Sequence, residues 1–328
     1  MHAASCWKRL SVVALASWLL CLPVMPLSAA GAAESVEVLP RWEAGETARY
    51  EMIKTRRKTQ GTQVVLNATT RTDLEIEVLG KDDDGSVVAW TLGATRFDDP
   101  QQADNPLVKV MSSLLEGQRI VLELDAEAAI TGVRNWNELK DSSANRMQAI
   151  VAELNTAGLD QATIAKLQRQ VASMFATKQQ VEQMCTREAQ MFFMALGIAV
   201  APSEPLEYAD SLPNPLGGEP FPSRAQFNLK AVDRASDRAT ITWTQTVPPD
   251  DARRIMEATL RAMAARLGRP VPNAEQLESL TIEDRAEFVL EISTGWIDRL
   301  TQVRTTRTEG DVQEDETMIT RKVTEKTE

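Results

Sequence analysis

The residue types able to do chemistry in this chain are carboxylates, methionines and one cysteine, because histidine is confined to the extreme N-terminus. The single histidine of the 328-residue sequence is His2. It lies in a stretch that reads as an export signal, so the exported chain is expected to have none. Triads of the Ser/His/Asp or Cys/His type, histidine general bases and histidine zinc ligands are thereby excluded. No Gly-rich dinucleotide loop, P-loop or Gly-x-Ser-x-Gly elbow is present, and a Ser-x-x-Lys run, Ser5 to Lys8, falls inside the signal.

Carboxylate chemistry needs only Asp and Glu, of which there are 47. An acid/base pair of the glycoside-hydrolase kind is therefore open by residue type, although no pair stands out by spacing. The run Asp82-Asp83-Asp84-Gly85 lacks the spaced ligands and terminal Glu of an EF-hand loop, so it reads as a solvated hairpin turn rather than a calcium site. Asp98-Asp99 reads the same way. Cys185 sits on an apolar helical stripe beside Met184, the setting of a buried, inert thiol. Asn67-Ala68-Thr69 matches a glycosylation sequon, which matters only in a eukaryotic secretory pathway. No metal or cofactor is expected.

Methionine placement is the least ordinary feature. Met147, Met174, Met184, Met191, Met194, Met256 and Met263 all fall in segments with helical periodicity, and Met191 to Leu196 (MFFMAL) is apolar on every face. Soft, unbranched side chains suit a surface that must fit changing apolar shapes. Met184, Met191, Phe192, Met194, Met256 and Met263 are accordingly the candidate surface for an apolar ligand. An all-round apolar helix is also what a buried helix looks like.

The elements that must position these residues follow from periodicity. Residues 46–135 alternate apolar and polar with period two, as in Leu74, Ile76 and Val78 or Ile120, Leu122 and Leu124, and predict an antiparallel meander. Residues 137–196 switch to helical spacing and predict three helices, with stripes at Met147, Ile150, Val151 and Leu154, at Ile164, Leu167, Val171 and Met174, and at Val181, Cys185, Ala189, Phe192 and Leu196. Asp160 is placed to cap the second. A proline- and glycine-rich loop follows at 201–222, then strands at 223–247 with a turn at Ser236-Asp237. A second helical insert spans 249–280, with Asp250 as its cap and Met256, Leu260, Met263 and Leu267 as its stripe. Strands return at 283–324, the last reading as an edge strand blunted by charge. The fold class expected is α+β: one domain, residues 34–328, with a large curved antiparallel sheet and helical inserts packed on one face.

The first 33 residues have the form of a signal peptide. Lys8 and Arg9 make a charged start, Leu10 to Leu22 an apolar stretch too short to span a bilayer, and Ser28 to Ala33 a small-residue cleavage zone. Cleavage there removes Cys6 and Cys21 and leaves Cys185 as the one thiol, with no intrachain disulfide. Leu20, directly before Cys21, departs from the small residue of a lipoprotein signal. The protein is therefore expected to be periplasmic or secreted, with no transmembrane span after signal removal. Its formal net charge of −11, more acidic once Lys8 and Arg9 are gone, argues against nucleic acid and anionic headgroups as partners.

Leu124-Asp125 followed by Val133-Arg134-Asn135-Trp136, set between a strand-rich half and a helical insert, resembles a group of uncharacterised exported bacterial proteins with the same strand, helix, strand plan. The layout is also distantly similar to lipoprotein-carrier half-barrels, in which helices close over the concave face of a sheet. That likeness implies a non-catalytic protein holding a lipid or acyl chain between sheet and Met-rich helices. The alternatives are an envelope protein-interaction module with a packed core and no ligand cavity, and a carboxylate-based glycan hydrolase.

Overall fold

Period-two alternation builds the sheet and period 3.6 builds its cover. The computed structural model describes residues 35–322, apart from 83, 106, 107, 109–111, 157, 215 and 268–279. The signal segment lies outside the described residues, as do the end of the second helical insert and the tail beyond 322. Among the described residues no helix is long and apolar enough to cross a membrane.

Strands β1 (Val36–Glu37), β2 (Thr47–Gln60), β3 (Gln63–Asp82), β4 (Gly85–Phe97), β5 (Arg119–Asp125) and β6 (Ile130–Val133) occupy the first half. A short helix α1 (Pro100–Asp104) follows β4. The first helical insert holds α2 (Trp136–Thr156), α3 (Gln161–Met174), α4 (Lys178–Cys185) and α5 (Arg187–Phe193). Then come β7 (Ala199–Val200), β8 (Leu206–Leu212), β9 (Phe221–Asp233), β10 (Arg238–Thr246), helix α6 (Pro249–Leu267), β11 (Thr281–Glu291), β12 (Ile297–Thr308) and β13 (Asp311–Arg321).

All but β1 and β7 join one eleven-stranded sheet in the order β6-β5-β4-β3-β2-β13-β12-β11-β10-β9-β8. Every neighbouring pair is antiparallel. The fold is thus α+β, two meanders fused where the first long strand meets the last. That fusion corrects one expectation: β13 is no edge strand but lies mid-sheet between β2 and β12. Its charges serve as cross-strand partners instead, with Asp315 bonded to Arg56 and Asp311 to Lys58.

A second correction concerns residues 201–222, expected as a loop. They include β8, which pairs residue by residue with β9 from Leu206↔Phe227 to Leu212↔Phe221 and forms the sheet's edge. Pro205 and Pro213 bracket it, and an edge strand tolerates such neighbours because one side needs no ladder bonds. The third helical stripe also divides. Thr186 turns its hydroxyl back onto the Glu182 carbonyl at 2.7 Å, a bond that bends helices, and α4 ends there while α5 begins. Asp160 does cap α3, accepting from the Thr163 amide at 2.9 Å. Asp250 lies inside the first turn of α6 and pairs with Arg253 rather than capping.

One sheet face is apolar over much of its width. Tyr50, Leu74, Ile76, Trp90, Ile120, Leu122, Phe288 and Leu300 are buried there beneath the stripes of α2 to α5. A smaller cluster, with Phe221, Val247, Ile255 and Ile282, lies around α6. The opposite face is solvated and laced with ion pairs such as Arg49–Glu75, Arg96–Asp73 and Arg119–Glu77.

Candidate functional site

The register of the central strands sorts the covered face into rows. In one row Phe288, Leu300, Ile319 and Met52 lie side by side, and this row is apolar. Two residues along, the row is Ala286, Gln302, Thr317, Lys54 and Thr70. Two further along it is Asp284, Arg304, Asp315 and Arg56, charges alternating in sign across four strands. The face therefore passes from oily to ionic within four residues of each strand. The alternation is electrostatically sound, because opposite charges facing each other across strands attract.

Where the cover of α5 stops, this gradient lines a pocket of 310 Å³. Met191 of α5, Leu300, Ile319 and Ala68 supply its apolar part, and Lys54, Arg56, Arg187, Glu188, Arg304, Asp315 and Glu316 its charged part. Lys54 donates to Glu188 Oε1 at 2.6 Å, tying β2 to α5 across the mouth. Burial pushes the Glu188 carboxyl up, but the Lys54 ammonium, joined by a backbone amide hydrogen bond and the Arg187 guanidinium, outweighs it and holds Glu188 below the ordinary carboxylate range. Arg56 donates to Asp315, and Arg304 binds Asp284 with two guanidinium nitrogens. Arg187 and Glu316 make no ion pair among the described residues.

The candidate methionine surface is divided by the fold. Phe192 is fully buried, in edge contact with Tyr50 at 5.1 Å, Trp90 at 5.5 Å and Phe193 at 5.1 Å. Met184, Met191 and Met194 are half-buried around that same core, whereas Met256 packs on the separate α6 cluster. Met263 is half-buried on α6. Of the six, Met191 alone lines the pocket. Lys54, Arg56, Arg304 and Asp315 did not emerge from sequence reasoning. Their signal is that the period-two apolar face of β2 and β12 turns polar and then ionic halfway along, at Lys54 after Met52 and at Gln302 and Arg304 after Leu300.

The remaining sequence features are structural. Asp82 Oδ1 accepts from the amides of Asp84 and Gly85 at 3.0 Å and so builds the β3–β4 turn. Asp99 caps α1 and Asp98 pairs with Arg71. No group of three or more metal-type side chains gathers among the described residues. Asp125 accepts from the amides of Glu127 and Ala129 to shape the β5–β6 turn. Asn135 bonds the Val121 amide and the Arg119 carbonyl, so it clips the start of α2 to β5. Cys185 is buried, and burial, with Glu188 nearby, pushes its thiol up to about 12.

No protein-family model and no curated protein matches this chain. Among solved structures, one of lipovitellin, described for its lipid–protein interactions, is similar at a TM-score of 0.41 and 9% identity. The match covers 86% of this chain and 26% of the lipovitellin chain, so this chain spans about a quarter of that one.

Proposed function

We propose that the protein is exported and acts in the periplasm or outside the cell as a non-catalytic carrier of an amphipathic ligand, a lipid or lipoprotein acyl chain. The observation that carries this reading is the pocket beside α5, where an apolar floor meets a charged wall. Its 310 Å³ stands at the lower end of small-molecule sites, about 300–1,000 Å³. That volume suits one chain end or one headgroup rather than a whole diacyl lipid. The ligand would lie at the margin of the helical cover, because Trp42, Tyr50, Trp90, Phe192 and Phe193 already fill the space beneath α5.

The same aromatic packing favours the second reading, an envelope interaction module with a closed core. A hydrolase reading has less support. A glycosidase acid needs a raised carboxyl pKa, and Glu188 is shifted the other way, while Asp315 is engaged by Arg56.

Native mass spectrometry of the protein purified from an envelope fraction decides between them. Bound lipid or acyl mass, displaced by a fluorescent fatty acid and weakened by Met191→Asp, supports the carrier. A ligand-free mass together with no fatty-acid binding sinks it and favours the interaction module.

A further inference from the structure

The β2–β3 hairpin outruns the strand beside it. β3 begins at Gln63, but β4 pairs with it only as far as Phe97 opposite Thr70, followed by one bond from the Asp98 amide to the Thr69 carbonyl. From Gln63 to Ala68 the strand has β2 on one side and, among the described residues, no strand on the other. An open edge presents a row of unpaired N–H and C=O groups, which proteins ordinarily guard with Lys, Pro or short length. No charged residue and no proline guards this edge between Thr59 and Thr70; its one irregularity is the register shift opposite Lys58 and Thr59. Its side chains add an apolar patch. Val64 and Val65 are 48% exposed and Leu66 is 38% exposed, and the other exposed large hydrophobic among the described residues is Leu216. Leu66 stands opposite Lys58 and Val64 opposite Thr59, with the register shift between them, so the two point to opposite faces of the sheet.

We propose that this edge seats a second copy of the same chain, by antiparallel pairing of Gln63–Ala68 with its own counterpart about a twofold axis. Pairing about such an axis sets residue i against residue j and j against i, so a segment free of charge and proline can pair with its own counterpart leaving no charge unmatched. The neutral stretch from Thr59 to Thr70 meets that condition, while both faces of the joined strands gain apolar cover from Val64, Val65 and Leu66. A bilayer fits the surroundings less well. Of the basic residues beside the patch, Arg56 and Lys58 are bonded to Asp315 and Asp311 and Arg57 stands opposite Glu314 in the register of β2 and β13, while Glu309 and Glu316 lie on the same neighbouring hairpin.

Sedimentation velocity of the intact protein over a concentration series tests the proposal. The mass doubles as concentration rises, amides 63–68 gain hydrogen-exchange protection in the same range, and Val64→Lys/Leu66→Lys weakens association by about tenfold or more. Because both side chains are exposed, the thermal midpoint of that variant, measured at a concentration where the parent is monomeric, stays where it was. In a Leu66→Cys variant, oxidation crosslinks the two copies through that position. A protein that remains monomeric throughout, or a dimer indifferent to the lysines, overturns the proposal. So does a monomer that co-sediments with phosphatidylcholine or phosphatidylglycerol vesicles and loses that binding in the lysine variant, which would assign the patch to membranes.

Discussion

Arg304 on β12 holds the carboxylate of Asp284 on β11 in a two-point grip, Nη2 to Oδ2 at 2.7 Å and Nε to Oδ1 at 2.9 Å. Asp284 is 1% exposed and Arg304 28%. Gln302 adds a third donor to Oδ1 at 2.9 Å. The pair marks the point where the apolar sheet face turns ionic, and its burial makes it unforgiving of single changes.

Arg304→Ala leaves a buried carboxylate without its cation and is expected to cost about 3 kcal/mol, the low end for breaking a buried pair because Arg304 reaches solvent. Replacing both partners, Asp284→Leu with Arg304→Met, recovers most of that loss. Urea unfolding of the two variants measures the contrast. Equal destabilisation by both would mean that the pair is not the source of the effect.

Acid stability should report the Lys54–Glu188 tie. Glu188 has a folded pKa below its unfolded one, so its contribution is present above about pH 4.3 and is lost as pH falls through the lower folded value. In Lys54→Met the two Lys54 contributions that lower the carboxyl are gone while burial remains, so Glu188 moves up and less of its contribution is lost in acid. Across pH 3 to 6 the thermal midpoint of the variant should fall less steeply with acid at this site than that of the parent protein.

Asp73 sits between Arg96 and Lys322 on the solvated face, and hydrogen bonds from those two cations lower its carboxyl to about 2. A carboxylate titration followed by NMR should find its midpoint there, below the Asp range. Arg96→Met is expected to return it partway toward about 3.9. With a folded value this low, Asp73 favours folding above the unfolded pKa and loses that influence as pH drops toward 2. The site is solvent-accessible, so the effect on overall stability is small.

Cys185, pushed up to about 12 by burial, should resist alkylation by iodoacetamide at pH 8 in the native protein and react after unfolding. Peptide mass spectrometry can follow that residue alone. Rapid native labelling would place the thiol in solvent.

Gly197, at φ +71°, turns the chain from α5 into β7, and its amide bonds the Val38 carbonyl at 2.9 Å. A Cβ there would lie 2.4 Å from Glu127 Cβ and 2.5 Å from its carbonyl oxygen. Gly197→Ala therefore combines left-handed strain, about 1–3 kcal/mol, with a clash against backbone. A drop in unfolding free energy of at least that size is expected, with no recovery from trimming Glu127 to alanine, because the carbonyl stays.

Element type was readable wherever one face of a segment is buried and the other is wet. Leu74, Ile76 and Val78, or Ile164, Leu167 and Val171, declare their structure because burial selects side chains at the period of the backbone. The same residues say nothing about which strand lies beside which. Antiparallel pairing of β2 with β13 joins residues more than two hundred positions apart, and no local period records it. Hence the charge-rich last strand read as a guarded edge, although its acids meet Arg56 and Lys58 in mid-sheet. The pocket was hidden for a related reason. Lys54, Arg304 and Glu188 are ordinary charged residues in sequence, and only register and the stopping point of α5 bring them together.

The early histidine, Cys185 on an apolar stripe and the alternation of the strands could be read from residue types and spacing, because they follow from composition and local burial. Whether the methionines form one surface was decided by tertiary structure alone. Phe192 goes to the aromatic core, Met256 to a separate cluster and Met191 to the pocket, since packing fills space beneath the sheet first with the largest side chains and leaves the margin to the flexible ones.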